Sequence, residues 1–248
     1  MPYAMVYNTN ELSSSDYLGK KDQDHKEMGV AECAADNEAL SAPPGYGKTL
    51  GWGSRPALLL IDVCAAYWKK GSPLDLSHNA EGAASPESMR RLVAAARKGE
   101  VPVIWAQVRY THPEMRDGGV QAKKTKTILA WQDGDTRGLD ALLPGLEPGP
   151  EDTVVLKRNP SAFFGTTLAT ELQLLNVDTL VIGGVSTSGC VRASVMDAMC
   201  HGFRPMVVGS ACGDRSPLIQ QHNLLDIQSY MGDIVDEAEA VKRLSTGW

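Results

Sequence analysis

Short apolar runs recur along the chain, separated by segments of helical periodicity, and this alternation limits the fold more than any other feature of the sequence. Ala57–Ile61, Val101–Ala106, Thr153–Leu156, Thr179–Ile182 and Pro205–Val208 are continuous rather than alternating, as strands covered on both faces are. A weaker run lies at Asp233–Val235. Between them, Ser85 is placed to cap a helix that starts at Pro86 and continues through Met89, Leu92, Val93 and Ala96. A second helix over Thr167–Leu175 puts Leu168, Leu172 and Leu175 on one face. A third, Cys190–His201, buries Val191, Val195, Ala198 and Met199 and stops at Gly202, a natural helix-ending residue. Strands and helices in this order build a parallel sheet covered on both sides, an α/β fold.

At 248 residues the chain is long enough for one such domain. Residues 1–50 are polar and aperiodic, ending in the turn-rich Pro43-Pro44-Gly45-Tyr46-Gly47, and read as an N-terminal arm before a domain over 51–248. Tyr110–Gly149 breaks the alternation with glycine, proline and charge, and reads as a long functional loop with one short helix.

Several function classes drop out. The net charge is −6, and the basic runs Lys69-Lys70 and Lys123–Lys126 are short, which argues against nucleic acid as a partner. No apolar stretch approaches the roughly 18 residues of a membrane span, and the N-terminus lacks the pattern of a secretion signal. Five scattered cysteines with no Cys-x-x-Cys pair suit reduced thiols, so a cytoplasmic location is expected. Ala42–Thr49 imitates a phosphate-binding P-loop, but such a loop needs a buried strand before it and a helix after it. Polar residues precede this one, and Gly51, Gly53 and Pro56 follow.

Gly183–Arg192 carries the chemistry. It follows an apolar run and opens an amphipathic helix, which places Cys190 at the carboxyl edge of the sheet, where α/β proteins bind ligands. A helix N-terminus favours thiolate over thiol, and backbone N–H groups in a turn of small residues suit an oxyanion. Asp62 ends the first run and can accept the thiol proton; Lys157 ends the third and projects from the same edge. No histidine occupies an equivalent place.

Arg55–Asp62, Val155-Leu156-Lys157 and Gly184–Ala193, in that order, resemble the isochorismatase-like cysteine hydrolases over roughly Gly45–Val235. Lys157–Thr166, Asp197–Pro205 and Gly213-Asp214-Arg215 resemble its N-carbamoylsarcosine amidase and maleamate amidase branch. The resemblance implies a six-stranded parallel sheet in a three-layer Rossmann-like fold, and an oligomer, commonly a homotetramer. It implies Asp62, Lys157 and Cys190 as the catalytic triad, a cis peptide at Val185–Ser186, and the N–H groups of Ser186 and Cys190 as oxyanion hole. It also implies that Arg215 grips a substrate carboxylate with two prongs. Thr187 in the same turn and Trp131 in the long loop are further candidate substrate contacts.

The departures narrow the chemistry. Cys64 stands where relatives often carry Gln, and reads as a small core thiol. Gln107–His112 lacks clustered ligands, so neither metal nor other cofactor is expected. A nucleophilic cysteine favours amide over vinyl-ether cleavage. Together these point to a small linear amide or carbamoyl compound bearing a carboxylate, cleaved with release of ammonia. A biuret-type ureide is the alternative within the enzymes, and a non-catalytic scaffold outside them.

Overall fold

The computed structural model describes residues 45–248. The expected arm lies mostly outside the described residues, as does the first half of the P-loop-like segment. Its second half, Gly45–Thr49, leads into coil rather than a helix. That coil is tied to the domain: Asp233 accepts the N–H groups of Leu50 and Gly51 (3.0 and 2.8 Å), and Asp178 accepts those of Ser54 and Arg55 (2.8 and 3.0 Å).

Six strands form one parallel sheet: β1 Pro56–Ile61, β2 Val103–Val108, β3 Thr153–Lys157, β4 Thr179–Val185, β5 Arg204–Gly213 and β6 Asp233–Val235. Their order is β3-β2-β1-β4-β5-β6. The helices are α1 Ala80–Lys98, α2 Leu168–Leu174, α3 Arg192–Cys200, α4 Pro217–Tyr230 and α5 Glu237–Thr246. Alternate residues of β1 feed opposite cores. Ala57, Leu59 and Ile61 meet Leu168, Leu172, Val195 and Ile227 of α2–α4, while Leu58 and Leu60 meet Met89, Leu92, Ala240 and Leu244 of α1 and α5. This is the expected three-layer arrangement. A third apolar cluster, including Tyr67, Leu76, Tyr110, Ile128, Trp131 and Val185, includes residues of the loops beyond β1 and β2. No described helix is long and apolar enough to cross a membrane.

Four expectations need correction. The first helix starts at Ala80, capped by Asn79, whose side chain accepts the Gly82 N–H at 2.7 Å. Pro86 therefore sits inside the helix and cannot donate to the Gly82 carbonyl. That carbonyl is satisfied instead by the Trp68 indole (2.8 Å) and the Ser85 hydroxyl (2.9 Å), so the helix runs on. In α2, Leu175 falls just past the end and is 38% exposed. Along α3, Met199 is only half-buried. β3 is an edge strand, and its Val154 and Leu156 face outward, 44% and 52% exposed.

Strand order reverses between β1 and β4, the position where sheets of this kind open a ligand crevice beyond the strand ends. Ile61 lies beside Gly184 in the register. Gly184 has φ +129°, and a Cβ there would sit 2.2 Å from the Ile61 carbonyl oxygen. Gly184→Ala is therefore expected to cost roughly 2–6 kcal/mol, combining backbone strain with overpacking. Urea unfolding would show this as a lower midpoint.

Candidate active site

The triad candidates converge at that crevice. Asp62 follows β1 directly, with φ +55°, a left-handed conformation Asp tolerates better than most residues. Its N–H is bonded to the Ala106 carbonyl (2.8 Å), which holds the turn. Lys157 ends β3, two strands away, a separation of about 9–10 Å. Its long stem passes this gap, and Nζ donates to Asp62 Oδ2 at 2.9 Å and to the Asn159 carbonyl at 3.2 Å. Both side chains are buried. The other carboxylate oxygen, Asp62 Oδ1, is buried with no hydrogen-bond partner among the described residues.

Cys190 comes from beyond β4. The peptide Val185–Ser186 is cis, and Thr187–Val191 forms a π-helical turn that leads into α3. Neighbours brace this turn. Asp214 accepts the Ser188 N–H at 2.6 Å. Ser194 donates to the Cys190 carbonyl (2.7 Å) and accepts the Ala162 N–H (2.9 Å), joining the Cys190 turn to the loop that follows Lys157. Asp214 and Ser194 carry no sequence signal of this role, because each acts through a contact between segments distant in the chain.

The thiol is not the resting thiolate that a helix N-terminus suggests. Cys190 keeps part of its surface open to a cavity, yet desolvation, and then the Asp62 charge, push it up to about 12, with Lys157 pulling the other way. Burial alone would bring Lys157 down, but Asp62 and then Cys190 outweigh it and hold the ammonium above its usual range. Burial and the Asp62 charge thus favour the neutral thiol beside the buried Asp62–Lys157 pair.

Buried thiols also set an alkaline limit. Burial raises Cys64 to about 11 and Cys212 to about 12, alongside Cys190. An unfolded chain releases these protons near pH 9 while the folded one keeps them. The stabilisation is complete below that pH and is lost as pH rises toward 11–12. The slope is on the order of 1.4 kcal/mol per pH unit per thiol. Urea midpoints measured upward from neutral pH are expected to fall, and less steeply in Cys212→Ala.

The cavity over Cys190 measures about 130 Å³ and is lined by Asp62, Tyr67, Tyr110, Gln121, Trp131 and Asn159 among others. That is smaller than the roughly 300–1,000 Å³ of drug-sized pockets, so it suits a ligand of few atoms. Trp131 forms one wall, packed against Tyr67 with ring centroids 5.9 Å apart. Beyond Trp131 lies an adjoining pocket of about 350 Å³, which also touches Asp62. A larger groove of about 1000 Å³, lined by Ala80, Ala84, Leu218 and Leu224, contains none of the triad.

Two expected substrate contacts sit elsewhere. Thr187 is fully buried and its hydroxyl donates to the Gly213 carbonyl (3.2 Å), because the π turn directs it toward β5. Arg215 is largely exposed and reaches Ser188 Oγ (3.1 Å) and Asp214 Oδ1 (3.2 Å). Neither residue lines the Cys190 cavity. No histidine lines it either; His201 stacks on Phe163 instead.

A model of the isochorismatase domain matches residues 56–239. The chain belongs to the isochorismatase family. Among family relatives, the maleamate amidohydrolase of Pseudomonas putida is 39% identical over 213 residues, covering 84% of this chain and 97% of that protein. The N-carbamoylsarcosine amidase of an Arthrobacter species is 32% identical over 209 residues, covering 81% and 75%. In fold, the chain matches a cysteine hydrolase from Pseudomonas syringae pv. phaseolicola with a TM-score of 0.70 at 20% identity, covering 80% of this chain and 98% of that one. The six-stranded parallel sheet is thus that of isochorismatase-like hydrolases.

Proposed function

We propose that this isochorismatase-family chain is a cysteine amidohydrolase that cleaves a small linear amide or carbamoyl compound bearing a carboxylate, releasing ammonia by way of a thioester on Cys190. One observation carries the reading: Asp62, paired with buried Lys157 through one carboxylate oxygen and unpartnered at the other among the described residues, lines the same small cavity as Cys190. The relatives named for maleamate and N-carbamoylsarcosine support the substrate class.

Because the thiol is neutral at rest, proton transfer accompanies attack. Asp62 Oδ1 takes the Cys190 proton as the sulfur bonds to the carbonyl carbon. The N–H groups of Ser186 and Cys190 hold the oxyanion. The tetrahedral adduct collapses, the C–N bond breaks, and Asp62 returns its proton to the departing nitrogen, which leaves as ammonia. Water then adds to the thioester, giving a proton to Asp62, and the sulfur leaves as a thiol once that proton comes back. Lys157 balances the Asp62 charge throughout. From its place at Ser188, Arg215 favours anionic substrates by its field, without contact. Trp131 shapes the cavity wall.

We also assign the enzyme to the cytoplasm as a homotetramer. The four described cysteines are unpaired thiols, and Val154, Leu156, Phe164 and Leu174 leave apolar surface exposed. The reaction is tested by measuring ammonia release from maleamate, N-carbamoylsarcosine, biuret, nicotinamide and simple ureido acids, with Cys190→Ala as blank. Cys190-dependent release from a carboxylated compound is expected. Release from biuret alone would move the substrate to the ureides, and an active Cys190→Ala enzyme would remove the mechanism.

A further inference from the structure

The turn after β5 carries Arg215 and is held from outside by the two residues that precede α1. Asn79, the cap of that helix, donates a side-chain N–H to the Asp214 carbonyl at 3.0 Å. His78 reaches the next carbonyl along: its Nε2 lies 3.0 Å from the Arg215 oxygen, while its Nδ1 lies 2.9 Å from the Asp75 oxygen. The turn is bound inward as well. Asp214 accepts the N–H groups of Ser188 and Arg215 (2.6 and 2.8 Å), and the Arg215 guanidinium donates to Ser188 Oγ, in the same π-helical turn as Cys190. Both ring nitrogens of His78 thus face carbonyl oxygens, which only accept hydrogen bonds. Neutral imidazole has a single donor nitrogen, so either tautomer would set a lone pair against a carbonyl. The imidazolium donates at both ends, and is the form that satisfies this geometry. The ring is exposed, so solvent protons reach it freely. The charges around it are the acids Asp75 and Asp214, Glu81 in the first turn of α1, and the cations Lys70 and Arg215.

We infer that His78, as the imidazolium, is a positioning residue: it fixes the turn that carries Arg215 and so sets how well the enzyme holds an anionic substrate. This rests on the reading of the chain as a hydrolase of carboxylated amides whose Arg215 favours the anion. Protonated, His78 ties the Arg215 carbonyl to the Asp75 carbonyl and so joins segments 137 residues apart. Once the proton leaves, one of these two bonds is lost, and the outer hold on the turn falls largely to Asn79. The guanidinium moves with the backbone that bears it. Its hold on an anion therefore weakens as pH rises through about 5–8, the interval in which histidine side chains change charge. A substrate carboxylate stays ionised over that interval. An uncharged amide does not sense the change, because it offers the arginine no charge to attract.

Two measurements on the full-length enzyme test this, and the first needs no substrate. In isotopically labelled protein, the His78 ring and the backbone amide of Ser216, which follows the Arg215 carbonyl, should titrate together in nuclear magnetic resonance spectra. In His78→Gln the Ser216 amide should stay still. A Ser216 amide that ignores the titration of the ring would overturn the inference. The second measurement is ammonia release from maleamate and from its uncharged diamide across the same pH range, with Cys190→Ala as blank. For the wild type, KM for maleamate is expected to rise about three- to tenfold with pH, the span of one hydrogen bond. In His78→Gln it should stand near the high-pH wild-type value throughout. In His78→Arg, whose fork keeps its donors at every pH, it should stand near the low-pH value. For the diamide, KM should stay within about twofold in all three proteins, less than one hydrogen bond is worth. One pH profile shared by the three proteins, or equal shifts on both substrates, would overturn the inference and leave the hydrolase reading intact. A wild-type enzyme that cleaves neither compound would remove the substrate reading, and the effect on KM with it, while the Ser216 titration still decides whether His78 fixes the turn.

Discussion

Asp62→Asn is expected to lower kcat by about 10²–10⁴-fold and, at the same time, to make Cys190 easier to ionise. Both effects come from one carboxylate. Asparagine keeps the shape and can still accept the Lys157 hydrogen bond, but it cannot take a proton from the thiol. Apart from burial, the Asp62 charge is the largest influence holding the thiol up, whereas Lys157 acts downward. With the carboxylate gone, the lysine faces the sulfur unopposed. The ultraviolet absorbance of the thiolate should therefore appear at lower pH than in the wild type, whose thiol lies at about 12. Iodoacetamide should alkylate Cys190 faster at neutral pH in an enzyme that no longer turns over. Had Asp62 worked by making a resting thiolate, alkylation and turnover would fall together.

Lys157→Met should be among the most damaging single changes to stability. The ammonium and carboxylate are both buried, with Nζ 2.9 Å from Oδ2. Methionine fills a similar volume but leaves Asp62 as an uncompensated buried charge, so a loss of about 3–5 kcal/mol is expected at neutral pH. The double variant Asp62→Leu with Lys157→Met should recover most of the stability and none of the activity, because replacing a whole buried pair by apolar groups is often neutral. Urea unfolding of the three variants separates these outcomes. A Lys157→Met protein as stable as wild type would mean that the pair is solvated in solution.

The sheet was legible because β1, β2, β4 and β5 are buried on both faces and so read as unbroken apolar runs. The meeting of Asp62 and Lys157 was legible for a related reason: both end such runs, and parallel strands bring their ends to one edge. Features that depend on contacts across the chain were not. Pro86 looked like a helix start because the groups that satisfy Gly82 in its place, Trp68 above all, lie before the helix begins. The upward push on the Cys190 thiol was not legible, because a helix-terminus argument contains neither the desolvation nor the Asp62 charge. Thr187 and Arg215 belong to recognisable motifs, but their hydroxyl and guanidinium are claimed by Gly213 and Asp214. Tyr67, Gln121 and Asn159 reach the cavity from loops, where no periodicity marks a residue as facing a site.

The thioester is the central claim, and acid-quenched mass spectrometry of the enzyme mixed with maleamate tests it most directly. The expected result is a transient adduct equal in mass to the substrate less ammonia, carried by the peptide that contains Cys190 and absent in Cys190→Ala. An adduct on Cys64, Cys212 or another residue, or ammonia released at the wild-type rate by Cys190→Ala, would contradict it.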